Sequence, residues 1–115
     1  MTEIYHNPRC SKSRQTLALL ESEGIKPTII EYLKIPLDAN AIQQLLSLLD
    51  MSPRALLRTG EAIYKELGLK DPTLSDEAII DAMVSHPKLI ERPIVVHQGK
   101  AAIGRPPEAV LALFK

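Results

Sequence analysis

The chain turns from a predicted strand into a predicted helix over the segment Ile4-Tyr5-His6-Asn7-Pro8-Arg9-Cys10-Ser11-Lys12-Ser13-Arg14. Thr2–Tyr5 has the pattern of a short strand, and Pro8 ends it because proline cannot donate to a sheet ladder. A helical pattern begins at Ser11, with Gly24 as its stop, and Thr28–Tyr32 is rich in β-branched residues. This order predicts a βαβ unit with parallel strands and a right-handed crossover.

The rest of the chain divides into a helical block and a second group of strands. Between about residues 38 and 86 the apolar spacing is helical, with no clear strand. Pro93–His97 and Ala101–Ile103 then form a predicted hairpin, and a last helix begins at Pro106 and Pro107. We therefore predict an α/β, thioredoxin-like fold with a helical insertion between an N-terminal βαβ unit and a C-terminal ββα unit. Residues 1–115 form a single predicted domain.

Composition restricts the classes of function. The 115 residues carry 14 Lys and Arg against 14 Asp and Glu, so the formal net charge is zero. This balance argues against nucleic-acid binding and against a polybasic membrane surface. No apolar stretch approaches the roughly 20 residues that cross a bilayer, and the N-terminus does not resemble a signal peptide. We expect a cytoplasmic protein with no membrane contact.

Cys10 is the only cysteine, which excludes an internal disulfide and a thiolate zinc cluster. His6, His86 and His97 lack partners at ligand spacing, so the sequence predicts no metal site. A lone cysteine is usually buried filler, but Cys10 precedes a helix whose free N–H groups and dipole favour a thiolate. Positive charge nearby and two serine hydroxyls favour an oxyanion there as well. The residues that supply them are Ser11, Lys12, Ser13 and Arg14, together with Arg9.

Further candidates follow from context. The Cys-x-x-Ser spacing from Cys10 to Ser13 requires that any disulfide of Cys10 be resolved by a thiol from another molecule, such as glutathione or a small redox protein. His6 either tunes the thiolate or only packs in its loop. Arg92 and Arg105 flank the predicted hairpin, and an arginine fork suits a tetrahedral oxyanion.

The chain resembles the glutaredoxin-coupled (ArsC-type) arsenate reductase family over nearly its whole length. The resemblance rests on the quoted segment 4–14 and on four further motifs in the same order. These are Arg54-Ala55-Leu56-Leu57-Arg58, Tyr64-Lys65-Glu66-Leu67-Gly68-Leu69, His86-Pro87-Lys88-Leu89-Ile90-Glu91-Arg92-Pro93-Ile94-Val95-Val96 and Gly104-Arg105-Pro106-Pro107-Glu108.

The resemblance implies that Cys10 is the nucleophile, that His6 helps to keep it ionised, and that Pro93 is a cis proline opposite the cysteine. It also implies oxyanion binding by Arg58, Arg92 and Arg105. The implied reaction reduces arsenate to arsenite with glutathione as co-substrate and glutaredoxin as partner, without a bound cofactor. The chain ends at Lys115, and in this respect it is similar to short chromosomal members rather than to plasmid-type reductases with a longer tail.

Two other functions fit the same sequence. One is a glutathione-dependent thiol oxidoreductase that acts on another substrate, in which the carboxylates of glutathione would occupy the anion site. The other is a redox-responsive transcriptional regulator of the same fold. Such regulators usually depend on a Cys-x-x-Cys pair, and Ser13 takes the second position here.

Overall fold

The computed structural model describes residues 1–115, which form two compact units. The first unit comprises Met1–Ile35 and Arg92–Lys115, and the second comprises Pro36–Glu91. None of the helices combines the length and apolar composition needed to cross a bilayer.

The first unit contains a four-stranded mixed sheet. Its strands are β1 (Thr2–Tyr5), β2 (Thr28–Ile30), β3 (Ile94–His97) and β4 (Lys100–Ile103), in the order β2-β1-β3-β4. β1 and β2 are parallel, whereas β3 is antiparallel to both β1 and β4. The parallel pair is connected through helix α1 (Ser11–Ser22), as a βαβ unit requires.

Two elements of this unit differ from the sequence pattern. β2 ends at Ile30 because its only partner, β1, ends at Tyr5, which is in register with Ile30. The chain beyond Ile30 then turns, and the N–H of Lys34 donates to the carbonyl of Glu31. The last helix, Pro107–Phe114, is a 3₁₀ helix, although its position is the predicted one.

The hairpin between β3 and β4 has a two-residue turn, Gln98-Gly99. Both residues have positive φ, 47° and 77°, which is the type I′ geometry that matches the twist of the flanking strands. Lys100 is therefore the first residue of β4 and pairs with His97.

The core of the first unit lies between the sheet and its two helices. Ile4 of β1, Leu20 of α1, Val95 of β3 and Val110 of the last helix are completely buried together. Because each element contributes one buried apolar side chain, the packing fixes the end of β1 relative to the start of α1. The loop that carries Cys10 joins these two ends.

The second unit is helical. It contains α2 (Ala39–Leu49), α3 (Ala62–Glu66), α4 (Asp76–Ser85) and the 3₁₀ segments Pro53–Leu56 and Pro87–Leu89. Asp38 and Ser75 accept hydrogen bonds from backbone N–H groups as the N-caps of α2 and α4, which stabilises both helix starts. α4 contacts α2 and both 3₁₀ segments.

The predicted α/β class is confirmed, with helices inserted between a βαβ unit and a C-terminal group of two strands and a helix. An isolated antiparallel bridge between Leu57 and Ile90 is the only β pairing among the inserted residues.

Candidate active site

Cys10 is the N-cap residue of α1. Its backbone is extended, with φ −92° and ψ 124°, and its side chain is partly exposed. The Cys10 N–H donates to the carbonyl of Asn7 (3.0 Å), and its own carbonyl accepts from the N–H of Arg14 (3.0 Å). The sulfur is thereby placed at the helix N-terminus, where free N–H groups and the helix dipole favour an anion.

The pKa of the Cys10 thiol lies below its ordinary value. Burial by itself raises the pKa, but several donors outweigh it: the backbone N–H of Ser13, the Arg92 side chain, the backbone N–H of Lys12 and the charge of Arg105. Hydrogen bonds and positive charge stabilise the thiolate and not the thiol. The protein therefore favours the form of sulfur that acts as a nucleophile.

Arg92 precedes the first strand of the hairpin and Arg105 follows its second strand, and both side chains contact Cys10. Nη2 of Arg105 lies 3.4 Å from Sγ of Cys10, and its Nε donates to the carbonyl of Arg92 (2.8 Å). Arg92 is buried, with 8% of its surface exposed, and it also donates to Cys10. Two guanidinium groups thus meet at one sulfur.

His6 reaches this cluster through Ser13. Nδ1 of His6 lies 2.6 Å from Oγ of Ser13, and the N–H of Asn7 donates to the same oxygen (3.0 Å). Burial lowers the pKa of His6, against an opposing effect of Glu31 and with a further lowering by Arg14. A neutral imidazole results near neutral pH, so His6 orients the Ser13 hydroxyl instead of supplying a positive charge to the sulfur.

The other predicted residues have different places. Ser11 is the first residue of α1 and is exposed, as is the side chain of Lys12. Nη1 of Arg14 donates to the carbonyl of Pro8 (2.9 Å), so Arg14 stabilises the loop before Cys10. Pro93 is buried beside β3, and the Arg92–Pro93 bond is cis, as the resemblance implied; the Arg105–Pro106 bond is also cis.

Arg58 belongs to the second unit, and its contacts there are ionic. Its Nε lies 3.4 Å from Oε2 of Glu61, and its Nη1 lies 3.0 Å from Oε1 of Glu91. Its backbone N–H donates to the carbonyl of Leu89 (2.8 Å). Arg58 is thus fixed between two carboxylates.

Three residues that sequence reasoning missed shape the site. Asn7 is buried; its side chain accepts from the N–H of Arg9, and its carbonyl accepts from Cys10. A Cβ on Gly104 would collide with Oγ1 of Thr16 and would lie 2.9 Å from Cγ of Pro93. The Asn-Pro pair is a turn signal that could have identified Asn7. No local signal connects Thr16 with Gly104.

The arrangement suits attack by a thiolate on a tetrahedral oxyanion. The nucleophile is stabilised by two N–H groups, and guanidinium donors beside it can bind oxygen atoms that carry negative charge. No group of three or more His, Cys, Asp or Glu side chains is placed to bind a metal ion.

Comparison with known proteins gives consistent matches. A model described as the ArsC family matches residues 5–113. The chain is 58% identical over 112 residues to the Escherichia coli K12 protein named "Uncharacterized protein YfgD", covering 96% of this chain and 94% of that one. It is 46% identical over 113 residues to an arsenate reductase of Neisseria meningitidis, covering 97% of each chain.

A solved structure agrees with these matches. The arsenate reductase from Vibrio cholerae superimposes with a TM-score of 0.96 at 53% identity, covering 97% of this chain and 96% of that chain. The fold of this protein is therefore the thioredoxin-like fold predicted from the order of its elements.

Proposed function

This chain belongs to the ArsC family, and we propose that it reduces arsenate to arsenite through a covalent adduct on Cys10. The observation that carries the proposal is the meeting of Arg92 and Arg105 at a cysteine whose pKa is lowered. The names of its relatives, arsenate reductases of Neisseria meningitidis and Vibrio cholerae, support arsenate as the substrate.

The first step joins sulfur to arsenic. The Cys10 thiolate attacks arsenate, a bond forms between Sγ and arsenic, and one oxygen leaves as hydroxide, which takes a proton to become water. Arsenic remains arsenic(V). Thiolate and arsenate are both anions, so they repel each other; Arg92 and Arg105 offset that repulsion by donating to the arsenate oxygens. We assign Arg58 as a third arginine that binds the oxyanion. Its Nε and Nη1 also pair with carboxylates.

The second and third steps use thiols from other molecules, because the chain has no second cysteine. Glutathione replaces another oxygen of the adduct, which leaves as water. The thiolate of glutaredoxin then attacks the glutathione sulfur. The electron pair of the sulfur–arsenic bond passes to arsenic, which becomes arsenic(III), and a glutaredoxin–glutathione disulfide forms. Water finally displaces Cys10, which releases arsenite and restores the thiol.

Ser11, Lys12 and Ser13 contribute at the first step. The backbone N–H groups of Lys12 and Ser13 stabilise the thiolate, and these groups at the start of α1 suit an oxyanion as well. His6 acts as a positioning residue because it orients the Ser13 hydroxyl. Reduced glutathione is abundant in reducing compartments, which supports a cytoplasmic location, and the scheme needs no bound metal or organic cofactor.

The test is a coupled assay with glutathione, glutaredoxin and arsenate, in which arsenite is measured. We expect the wild-type chain to form arsenite and Cys10→Ser to be at least 10³-fold slower, because a hydroxyl at that place is a far weaker nucleophile. A circular dichroism spectrum and a melting temperature equal to those of wild type show that the Cys10→Ser variant is folded.

Two results would contradict the proposal. Arsenite formation by Cys10→Ser at the wild-type rate would show that Cys10 is not the nucleophile. Turnover of glutathione mixed disulfides by the wild-type chain with no arsenite formed would favour the thiol oxidoreductase with another substrate.

A further inference from the structure

Asn7 lies between the end of the sheet and the start of α1. The N–H of His6 donates to the carbonyl of Ile30 (2.9 Å) and so continues the pairing of β1 with β2. Pro8 and Arg9, which follow Asn7, are exposed, whereas only 6% of the surface of Asn7 is exposed. A buried amide side chain requires hydrogen-bond partners inside the protein, and those of Asn7 lie in the segment that carries the cysteine.

Three hydrogen bonds connect Asn7 to the segment around Cys10. Its side-chain Oδ1 accepts from the N–H of Arg9 (3.0 Å), in the pattern of an Asx-turn. Its carbonyl accepts from the N–H of Cys10 (3.0 Å), and its own N–H donates to Oγ of Ser13 (3.0 Å). The first two bonds close the loop, and the third joins the loop to the first turn of α1.

The bonds of Asn7 determine which N–H groups remain for the sulfur. The N–H groups of Arg9 and Cys10 are engaged by Asn7, whereas those of Lys12 and Ser13 stabilise the thiolate. Because the N–H and the carbonyl of Cys10 are both hydrogen-bonded, its backbone is held in place, and the direction of its Cα–Cβ bond is held with it. Hydrogen bonds weaken steeply when their angle departs from linearity. The stabilisation of the thiolate therefore depends on the conformation of this loop.

We infer that Asn7 is a positioning residue for Cys10: the side-chain oxygen of Asn7 holds the loop in the conformation that directs Sγ towards the first turn of α1. The inference rests on the proposed function only for its effect on arsenate turnover, because the loop conformation and the ionisation of Cys10 are properties of the free protein. Arg92 and Arg105 lie outside the loop and also lower the pKa of Cys10, so substitution of Asn7 should have a partial effect.

The test compares two substitutions of nearly equal size. Asn7→Ala and Asn7→Ser leave similar cavities and keep the backbone bonds, but only serine supplies an oxygen that can accept from the N–H of Arg9, since serine forms the same kind of turn more weakly. We expect the pH midpoint of Cys10 alkylation by iodoacetamide to rise in Asn7→Ala and to rise less in Asn7→Ser. The misplaced sulfur should also lower kcat/KM for arsenate about tenfold in Asn7→Ala.

Two further measurements separate positioning from stability. Ser75→Ala removes a side-chain acceptor from the N–H of Ala78 (3.1 Å) in the second unit, so it should lower the melting temperature and leave the alkylation midpoint as in wild type. In the wild-type chain, NMR hydrogen exchange at the amide of Arg9 should be at least about tenfold slower than in an unfolded peptide, although Arg9 is exposed. This second measurement needs no variant to fold.

Three results would overturn the inference whether or not the chain reduces arsenate. They are a midpoint for Asn7→Ala equal to that of wild type, equal midpoints for Asn7→Ala and Asn7→Ser, and an unprotected amide at Arg9. Alkylation requires no arsenate. Midpoints that rise as expected in a chain that forms no arsenite would thus support the role of Asn7 and overturn only the proposed function.

Discussion

Guanidinium groups have different partners in the two units of the chain. In the first unit, Arg105 donates to the sulfur of Cys10 and to the carbonyl of Arg92, and Arg92 donates to the same sulfur. In the second unit, Arg58 binds the carboxylates of Glu61 and Glu91. The charge of Arg92 and Arg105 thus acts on the sulfur of Cys10, whereas the charge of Arg58 acts on two carboxylates.

The resemblance implied oxyanion binding by all three arginines. Their contacts indicate two different roles. Arg92 and Arg105 affect the ionisation of Cys10 before any substrate arrives, so substitution at either position changes the free protein. Arg58 is paired with fixed carboxylates, and its substitution can change oxyanion binding without changing the Cys10 thiol. The pH dependence of Cys10 alkylation and the KM for arsenate distinguish the two tasks.

The largest effect is expected for Arg92→Ala and Arg105→Ala. Each removes a group that lowers the pKa of Cys10, so the pH midpoint of Cys10 alkylation by iodoacetamide should rise. The rise should be greater for Arg92→Ala, because its hydrogen bond to Cys10 affects the pKa more than the charge of Arg105 does. The loss of an oxyanion donor should lower kcat/KM for arsenate about 10²-fold. A midpoint unchanged in both variants would contradict the role of these arginines.

The lowered pKa of Cys10 also makes the free energy of unfolding depend on pH. Because the folded pKa of Cys10 lies below its unfolded value, the thiolate stabilises the fold at pH values above the unfolded pKa. This contribution is lost as the pH falls through the folded pKa. The difference in free energy of unfolding between wild type and Arg105→Ala should therefore be larger at alkaline pH than at acidic pH in chemical denaturation.

An intermediate effect is expected for Gly104→Ala, which tests how Arg105 is positioned. The new methyl group would collide with Thr16 and approach Pro93, and the N–H of Gly104 donates to the carbonyl of Pro93 (2.9 Å). Overpacking of this kind costs about 1–3 kcal/mol, and a displaced Arg105 should lower kcat/KM about tenfold.

Two comparisons make the Gly104 prediction specific. Gly60→Ala is the matched control, because no atom lies within 4 Å of a Cβ built there, and its melting temperature should stay near that of wild type. In the double variant Thr16→Ala/Gly104→Ala, the collision with Thr16 is removed. The two substitutions should therefore cost less together than the sum of their separate effects. Strict additivity would show that Thr16 and Gly104 do not interact.

Much of the first unit could be predicted from sequence because its signals are local. The strand of Thr2–Tyr5, the helix start at Cys10 and the hairpin of β3 and β4 each follow from a few adjacent residues, and they are confirmed. Contacts between distant residues could not be predicted in this way. The approach of Thr16 to Gly104 spans 88 residues, and the end of β2 depends on where its partner strand ends.

The candidate site shows the same limit. Cys10 stands out in the sequence through its helix N-terminus, and Arg92 and Arg105 through their places at the hairpin. The sequence shows that His6 lies four residues before Cys10, but it does not identify Ser13 as the hydrogen-bond partner of His6. That partner follows from the rotation of α1, which turns Ser13 completely inward. For Arg58, no sequence signal identified Glu61 and Glu91 as the carboxylates that it binds.

The smallest effect is expected for Arg58→Ala, which tests the second side of the comparison. As an oxyanion arginine, Arg58 should contribute modestly, because Glu61 and Glu91 already offset its charge. We expect the KM for arsenate to rise about three- to fivefold, with the pH midpoint of Cys10 alkylation unchanged. Arg54→Ala is the matched control: Arg54 lies in the same unit and donates to the carbonyls of Leu69 and Asp71, so its loss should lower the melting temperature and leave the KM for arsenate as in wild type. If Arg58→Ala instead raised the alkylation midpoint as far as Arg105→Ala, Arg58 would act on the thiolate itself, and the division of tasks between the arginines of the two units would be wrong.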